Sequence, residues 1–229
     1  GYLDIEVASD EGFPEPEHAS QEITAITLYL KGTYFVFGTK AFNNYKDDVT
    51  YYQCRDEIHL IKTFLMVWTT NYPDIVTGWN TNFFDIPYII NRTKKLLGDD
   101  VARQFSPWNR LSERKATFKG KEAQIYDMIG IAHLDYIELY RKYAPNPNQD
   151  SFRLDNICHV ELGERKLDYS EYESLQRLYV ENYQLFMEYN IRDVGLVVKL
   201  EEKMKLIELA MTLAYEDRKS TRLNSSHAN

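Results

Sequence analysis

The stretch Gly78-Trp79-Asn80-Thr81-Asn82-Phe83-Phe84-Asp85-Ile86-Pro87-Tyr88-Ile89-Ile90-Asn91-Arg92 decides the fold. Just upstream, Ile75 to Trp79 is a short apolar run of the kind that forms a buried strand, with Gly78 near its end. Downstream, Ile86 to Leu97 has helical periodicity, Pro87 stands in the first turn where its missing N–H is harmless, and Gly98 supplies the stop. A strand that passes into a helix through a few polar residues indicates a mixed α/β or α+β domain. Asp85 opens the helix, where an aspartate ordinarily caps by accepting a backbone N–H.

The flanking sequence agrees. Gly1 to Val7 reads as a first strand, followed by an acidic loop from Ser9 to Glu22 with Pro14 and Pro16. Ile23 to Leu30 and Tyr34 to Phe37 are strand-like around Lys31-Gly32, a hairpin signal. Ile58, Ile61, Phe64, Leu65 and Trp68 recur at helical spacing, and Pro73 ends that helix. Arg110 to Glu122 is a basic, turn-containing segment; Ile129 to Leu134 is a strand that runs into a helix from Tyr136 to Tyr143. After Pro145 and Pro147, two long helices are expected, about Tyr172 to Asn190 and Asp193 to Tyr215. No internal repeat or low-complexity run interrupts this order.

The 229 residues carry 27 Lys plus Arg against 35 Asp plus Glu, a net charge of −8. Such a chain is a poor candidate for non-specific duplex binding through a broad basic face, so contact with nucleic acid needs local basic patches or metal ions. The hydrophobic content of 44% supplies a core and excludes intrinsic disorder. No run of about 18 uncharged apolar residues occurs, so neither a membrane-spanning helix nor a membrane partner is expected. Cys54 and Cys158 form neither a zinc-like nor a redox pair, and an intracellular protein is expected. Both ends read as cut: Gly1 stands already inside a strand-like run, and after Glu216 the composition turns abruptly to Ser, Thr, Asn and Arg. The expected domain is therefore residues 1–216, with 217–229 a polar, non-native tail.

Three acidic clusters carry the chemistry. Asp4 and Glu6 alternate along the first strand, so both carboxylates project to one face while Leu3, Ile5 and Val7 take the other. Asp85 stands at the strand-to-helix junction. Tyr189 and Asp193 lie at i and i+4, so a phenol and a carboxylate share one helix face. Singly, these are also an acidic edge strand, a helix cap and an ordinary helical pair. Clustered carboxylates repel: each pair about 4 Å apart costs on the order of 4 kcal/mol at an effective dielectric of about 20. A cluster of them is best read as a divalent-cation site, and all-oxygen ligands select Mg²⁺ or Mn²⁺.

Taken together, these residues resemble the 3′→5′ proofreading exonuclease domain of family B DNA polymerases, the DEDDy type with a ribonuclease H-like fold. Asp4 and Glu6 match its first motif; Asn80, Phe84 and Asp85 its second; Tyr189 and Asp193 its third. Position 188 is Glu, so the histidine of the related DEDDh enzymes is missing. Phe13-Pro14-Glu15-Pro16, Leu134-Asp135-Tyr136-Ile137 and Gly163-Glu164-Arg165-Lys166 resemble in particular the polymerases of T-even-like bacteriophages.

The resemblance implies an α/β fold with a mixed central sheet flanked by helices. It implies metal-dependent hydrolysis at single-stranded DNA 3′ ends, with two divalent cations held by Asp4, Glu6, Asp85 and Asp193. Tyr189 would orient the attacking water and Lys166 would neutralise phosphate charge. Phe13 would stack on unpaired bases, with Asn80 and Phe84 beside it. Arg110, Arg114, Lys115, Lys119 and Lys121 surround Gly120, where relatives carry a strand-separating hairpin, expected to be short here. The palm and fingers motifs of a polymerase are missing, so the remaining domains of a parent polymerase are implied as partners, in a host bacterial cytoplasm if the chain is phage-encoded. Two alternatives keep the same residues: an inactive DNA-binding or scaffold fragment, and a free-standing DEDD nuclease acting on RNA.

Overall fold

The computed structural model describes residues 1–9, 12–118 and 120–226. Strands β1 (Tyr2–Val7), β2 (Ile23–Leu30) and β3 (Thr33–Gly38) form an antiparallel meander, and β4 (Val49–Gln53) adds parallel to β3. Then follow α1 (Glu57–Thr70), β5 (Ile75–Val76), α2 (Asp85–Leu97) and the single turn α3 (Asp99–Ala102). An antiparallel hairpin, β6 (Leu111–Phe118) with β7 (Lys121–Met128), precedes β8 (Ala132–His133), which pairs parallel with β5. The order closes with α4 (Tyr136–Tyr143), α5 (Leu154–Leu162), α6 (Leu175–Glu181), α7 (Tyr183–Met204) and α8 (Leu206–Ser226).

Two backbone features place β1 at the centre. Lys31 and Gly32 both take positive φ, 51° and 86°, the two-residue turn that joins β2 to β3 with Leu30 opposite Thr33, while β1 pairs along the other edge of β2 with Asp4 directly opposite Thr27. On its other side β1 meets the end of β5: Leu3 N donates to Thr77 O and Thr77 N to Gly1 O, both at 2.9 Å. The strand order across the molecule is thus β8-β5-β1-β2-β3-β4. A Cβ added to Gly78 would stand 2.4 Å from the Leu3 carbonyl oxygen, so glycine is what lets β5 close on β1.

Helices cover both faces of the sheet. Leu3, Ile5, Ile26 and Leu28 point to α1 and α2, around Phe37, Phe64 and Trp68. Each such fully buried side chain contributes about 2–3 kcal/mol. On the opposite face Ala25, Val36 and Val49 pack against Phe186, Met187 and Ile191 of α7. Asp4 and Glu6 share this second face, so the acidic side of β1 is turned towards α7. A further core joins α4, α5 and α7 through Tyr140, Ile157, Cys158, Leu196 and Leu200. Among the described residues no helix is long and apolar enough to cross a membrane.

Several expected elements differ. The helices expected to divide between Asn190 and Asp193 instead divide at Asn182 and Lys205. The Asn182 side chain caps α7 by accepting from Leu185 N, and Lys205 ends it at φ 55°. Tyr189 and Asp193 therefore stand in mid-helix. The basic, turn-containing segment Arg110 to Glu122 belongs to a hairpin of eight residues per strand, in continuous register from Leu111↔Met128 to Phe118↔Lys121. The strands expected at Ile75–Trp79 and Ile129–Leu134 shrink to two residues each, and β4 and α5 were not anticipated. The backbone of α8 stays helical to Ser226, past the compositional break at Glu216, because neither Gly nor Pro interrupts it. Lys119 and residues 227–229 lie outside the described residues.

Candidate active site

β1, α2 and α7 bring the acidic residues together. One carboxylate oxygen from each of Asp4, Glu6 and Asp193 lies within 4.8 Å of the others. Asp85 stands beside this set. It does not cap its own helix: Phe84 occupies that position without a side-chain bond, and Asp85 Oδ1 instead accepts the N–H of Ile5 at 2.9 Å. The start of α2 is thereby fastened to the strand between Asp4 and Glu6.

Burial raises all four carboxyl groups, and repulsion within the cluster adds to it at Asp4 and Glu6. For Asp4 burial is the largest cause, followed by the charges of Asp85, Glu6 and Asp193. Glu6 is pushed up to about 8, mainly by burial and then by Asp193; Asp85 rises to about 7, mainly by burial. Burial also raises Asp193, against the opposing pull of Lys166. The Asp193 Oδ1 atom is buried with no hydrogen-bond partner. This is an under-compensated cluster of negative charge, and positive charge is what would relieve it.

One cation of the chain already serves it. Lys166 Nζ donates to Asp193 Oδ2 and, at 2.9 Å, to the Tyr189 hydroxyl. Burial alone would lower this lysine, but Asp193 and Tyr189 outweigh it and hold the ammonium charged. Tyr189 is 6% exposed, and burial followed by the Asp193 charge raises its phenol. It therefore acts as a hydrogen-bonding group and not as a base. The lysine expected to face phosphate is committed here to Asp193 and Tyr189.

Asp4, Lys166, Tyr189 and Asp193 line a cleft of about 940 Å³ whose wall also includes Phe13, Trp79 and Asn80. Phe13 is 81% exposed, with its ring 5.9 Å from that of Phe84, which packs in turn on Tyr88 at 5.7 Å. Pro14 is the buried anchor of that loop, and the phenylalanine projects from it. Asn80 takes φ 68° in the turn before α2. The expected hairpin cations are partly self-neutralised: Arg114 pairs with Asp127 at 2.9 Å and Lys115 with Glu122 at 2.8 Å.

Two residues of the site escaped the sequence reading. Asp135 caps α4 by accepting from Ile137 N, and also accepts from Asn80 N at 3.0 Å and Asn82 N at 2.9 Å, so it holds the turn before Asp85 in shape. Asn190, wholly buried, donates from Nδ2 to Asp4 Oδ2 at 2.7 Å. Its signal was available: an asparagine between Tyr189 and Asp193 in an apolar helical stretch has to find polar partners inside.

Residues 2–157 match the family described as DNA polymerase family B, exonuclease domain. The chain is 32% identical over 240 residues to the DNA-directed DNA polymerase of Escherichia phage RB69, covering 93% of this chain and 26% of that protein. It is 30% identical over 239 residues to the DNA-directed DNA polymerase of Enterobacteria phage T4, with the same coverage of 93% and 26%. To the DNA polymerase delta catalytic subunit of Bos taurus it is 25% identical over 237 residues, covering 93% of this chain and 20% of that subunit. The chain thus spans about a quarter of the length of the phage relatives.

Proposed function

The chain belongs to the exonuclease domains of family B DNA polymerases, and on that premise we propose that it is the 3′→5′ proofreading module of a DNA-directed DNA polymerase. Its substrate is a single-stranded DNA 3′ end and its subtype DEDDy. The observation that carries this reading is the convergence of Asp4, Glu6 and Asp193 within 4.8 Å, with a buried Asp193 oxygen that has no partner.

That donor set fits divalent cations. Every candidate ligand is a carboxylate oxygen, which suits Mg²⁺ or Mn²⁺. Asp4, Glu6 and Asp193 would hold one ion, and Asp4 with Asp85, directly or through water, a second. When bound, such ions supply an activated water and relieve negative charge at the scissile phosphate.

The chain's own residues supply position and charge. Tyr189 directs its hydroxyl to the carboxylate cluster and orients the attacking water. Lys166 keeps Tyr189 and Asp193 in register and adds positive charge where phosphate must enter. Phe13 stacks on a base of the entering strand, a contact tolerant of sequence, with Phe84 behind it and Asn80 beside it. The strand order, with β5 and β8 parallel to β1, supports a ribonuclease H-like fold. The nuclease unit is residues 1–216, with 217–229 a non-native tail; its partners are the remaining domains of the parent polymerase, in a host bacterial cytoplasm if phage-encoded.

The direct test compares one single-stranded oligodeoxynucleotide labelled at its 5′ or its 3′ end. The 5′ label should give a descending ladder and the 3′ label immediate mononucleotide. The opposite pattern, or internal cuts, would overturn the assignment, and preference for RNA would favour a DEDD ribonuclease instead.

A further inference from the structure

Asn190 occupies a position that none of the motif residues explains. It lies in mid-α7, 0% exposed, and both ends of its amide are engaged. Oδ1 accepts from the Thr27 hydroxyl at 2.5 Å, and Nδ2 donates to Asp4 Oδ2 at 2.7 Å. Thr27 is itself 0% exposed and stands directly across from Asp4 in the β1–β2 register. Thr27 is therefore one link removed from the carboxylates.

From this geometry we propose that Asn190 is a positioning residue for the cation-binding carboxylates, and that the Thr27 hydroxyl locks the orientation of its amide. The inference rests on the cation reading given above.

The physical argument is one of donors and acceptors. An amide nitrogen donates to the Asp4 carboxylate and adds no positive charge that would compete with a cation. An amide can also turn by 180°. It would then direct Oδ1 at Asp4 and add another negative dipole to an already repelling cluster. Thr27 opposes that rotation by donating to Oδ1. With Asp4 Oδ2 held by Asn190, the remaining oxygen of Asp4 is left to the ion. Groups bonded directly to a metal ligand, as Asn190 is to Asp4, typically alter metal affinity by about 10–100-fold when removed.

The test is calorimetric titration of the full chain with Mn²⁺, alongside thermal unfolding in EDTA, for wild type, Thr27→Val, Thr27→Ser and Asn190→Leu. Thr27→Val keeps the shape and loses the hydroxyl; Thr27→Ser keeps the hydroxyl and loses the methyl. Mn²⁺ affinity should fall about tenfold or more in Thr27→Val and Asn190→Leu and stay within about twofold of wild type in Thr27→Ser. Thr27→Ser, lacking a buried methyl, should nonetheless unfold at lower temperature than wild type. Affinity in Thr27→Val equal to wild type would overturn the proposal and leave the pair as a strap between α7 and β2. Should Asn190→Leu fail to fold, the two Thr27 variants decide alone. A folded wild-type chain that takes up no Mn²⁺ would overturn the cation reading itself, and this proposal with it.

Discussion

The Ile5 N–H group donates to Asp85 Oδ1 at 2.9 Å, so the carboxylate that opens α2 is tied to the strand between Asp4 and Glu6. One residue thus has two separable duties, an acceptor for β1 and a negative charge beside Asp4. Asp85→Asn keeps an acceptor oxygen and loses the charge; Asp85→Ala loses both. Asp85→Asn should fold with stability near wild type while cleavage of single-stranded DNA falls at least about a hundredfold. Asp85→Ala should lose a further 1–3 kcal/mol of stability, because the buried Ile5 N–H is left unpaired. Urea melts and single-turnover cleavage rates separate the two duties.

A second buried pair holds the other face. Arg92 forks onto Glu57, with Nε on Oε1 at 2.8 Å and Nη2 on Oε2 at 2.7 Å, and Glu57 Oε1 also accepts from Ile23 N. The pair joins α1, α2 and the start of β2. Removing one partner strands the other, so Arg92→Met should destabilise the protein by about 3–5 kcal/mol. Replacing both, Glu57→Leu with Arg92→Met, should recover part of that loss in a double-mutant cycle measured by chemical denaturation.

Gly78 allows the close approach of β5 to β1. In Gly78→Ala the new methyl would stand 2.4 Å from Leu3 O and from Thr81 Cγ2, so the strand carrying Asp4 and Glu6 has to shift. Stability should fall by about 1–3 kcal/mol, the usual range for overpacking. Mn²⁺ affinity should fall as well. Gly12, with open space around its Cβ position, makes the contrast at a loop where φ is 98°: Gly12→Ala should perturb only its loop, with metal affinity unchanged by calorimetry.

The mixed α/β character and the principal site residues were legible in the sequence because they are local. The alternation of Asp4 and Glu6 predicts one shared face, and the four-residue spacing of Tyr189 and Asp193 predicts another. The order of the motifs carried the resemblance to the exonuclease family. Long-range contacts were not legible. Nothing near Asp85 announces that its partner is Ile5 rather than its own helix, and nothing near Lys166 announces Asp193. The boundaries of α7 were missed because apolar periodicity continues through both ends. A capping Asn182 and a left-handed Lys205, single residues each, outweigh it. The extent of the β6–β7 hairpin was not legible because β6 is mostly polar and the buried residues of β7, Ile125, Tyr126 and Met128, cluster at its end without a sustained alternation.

Acid sensitivity should trace in part to His133. Its ring is half-buried beside Thr81, with Nε2 2.9 Å from Thr81 Oγ1, and desolvation lowers it from 6.5 to about 4. Between those values the unfolded chain takes up a proton and the folded chain does not, so this residue's stabilising contribution is lost as pH falls from about 6.5 towards 4. The loss is on the order of 3 kcal/mol, at about 1.4 kcal/mol per pH unit. The buried carboxyl groups, raised on folding, act in the opposite direction, so the difference between wild type and His133→Asn is the quantity to follow. Chemical denaturation at pH 7, 5.5 and 4.5 should show that difference shrinking or reversing as the pH falls.

If Asp4 and Glu6 belong to a cation-dependent centre that shortens DNA from its 3′ end, the effect is visible in degradation of a 5′-labelled single-stranded DNA by the full chain with Mg²⁺, with EDTA, and with the Asp4→Ala plus Glu6→Ala variant. A ladder shortening from the 3′ end is expected with wild type and Mg²⁺ alone, and intact DNA in the other two reactions. Cleavage that persists in EDTA or in the double variant would contradict it. So would intact DNA with Mg²⁺ from a folded chain that still binds the oligonucleotide, a result that would make this domain a binding fragment.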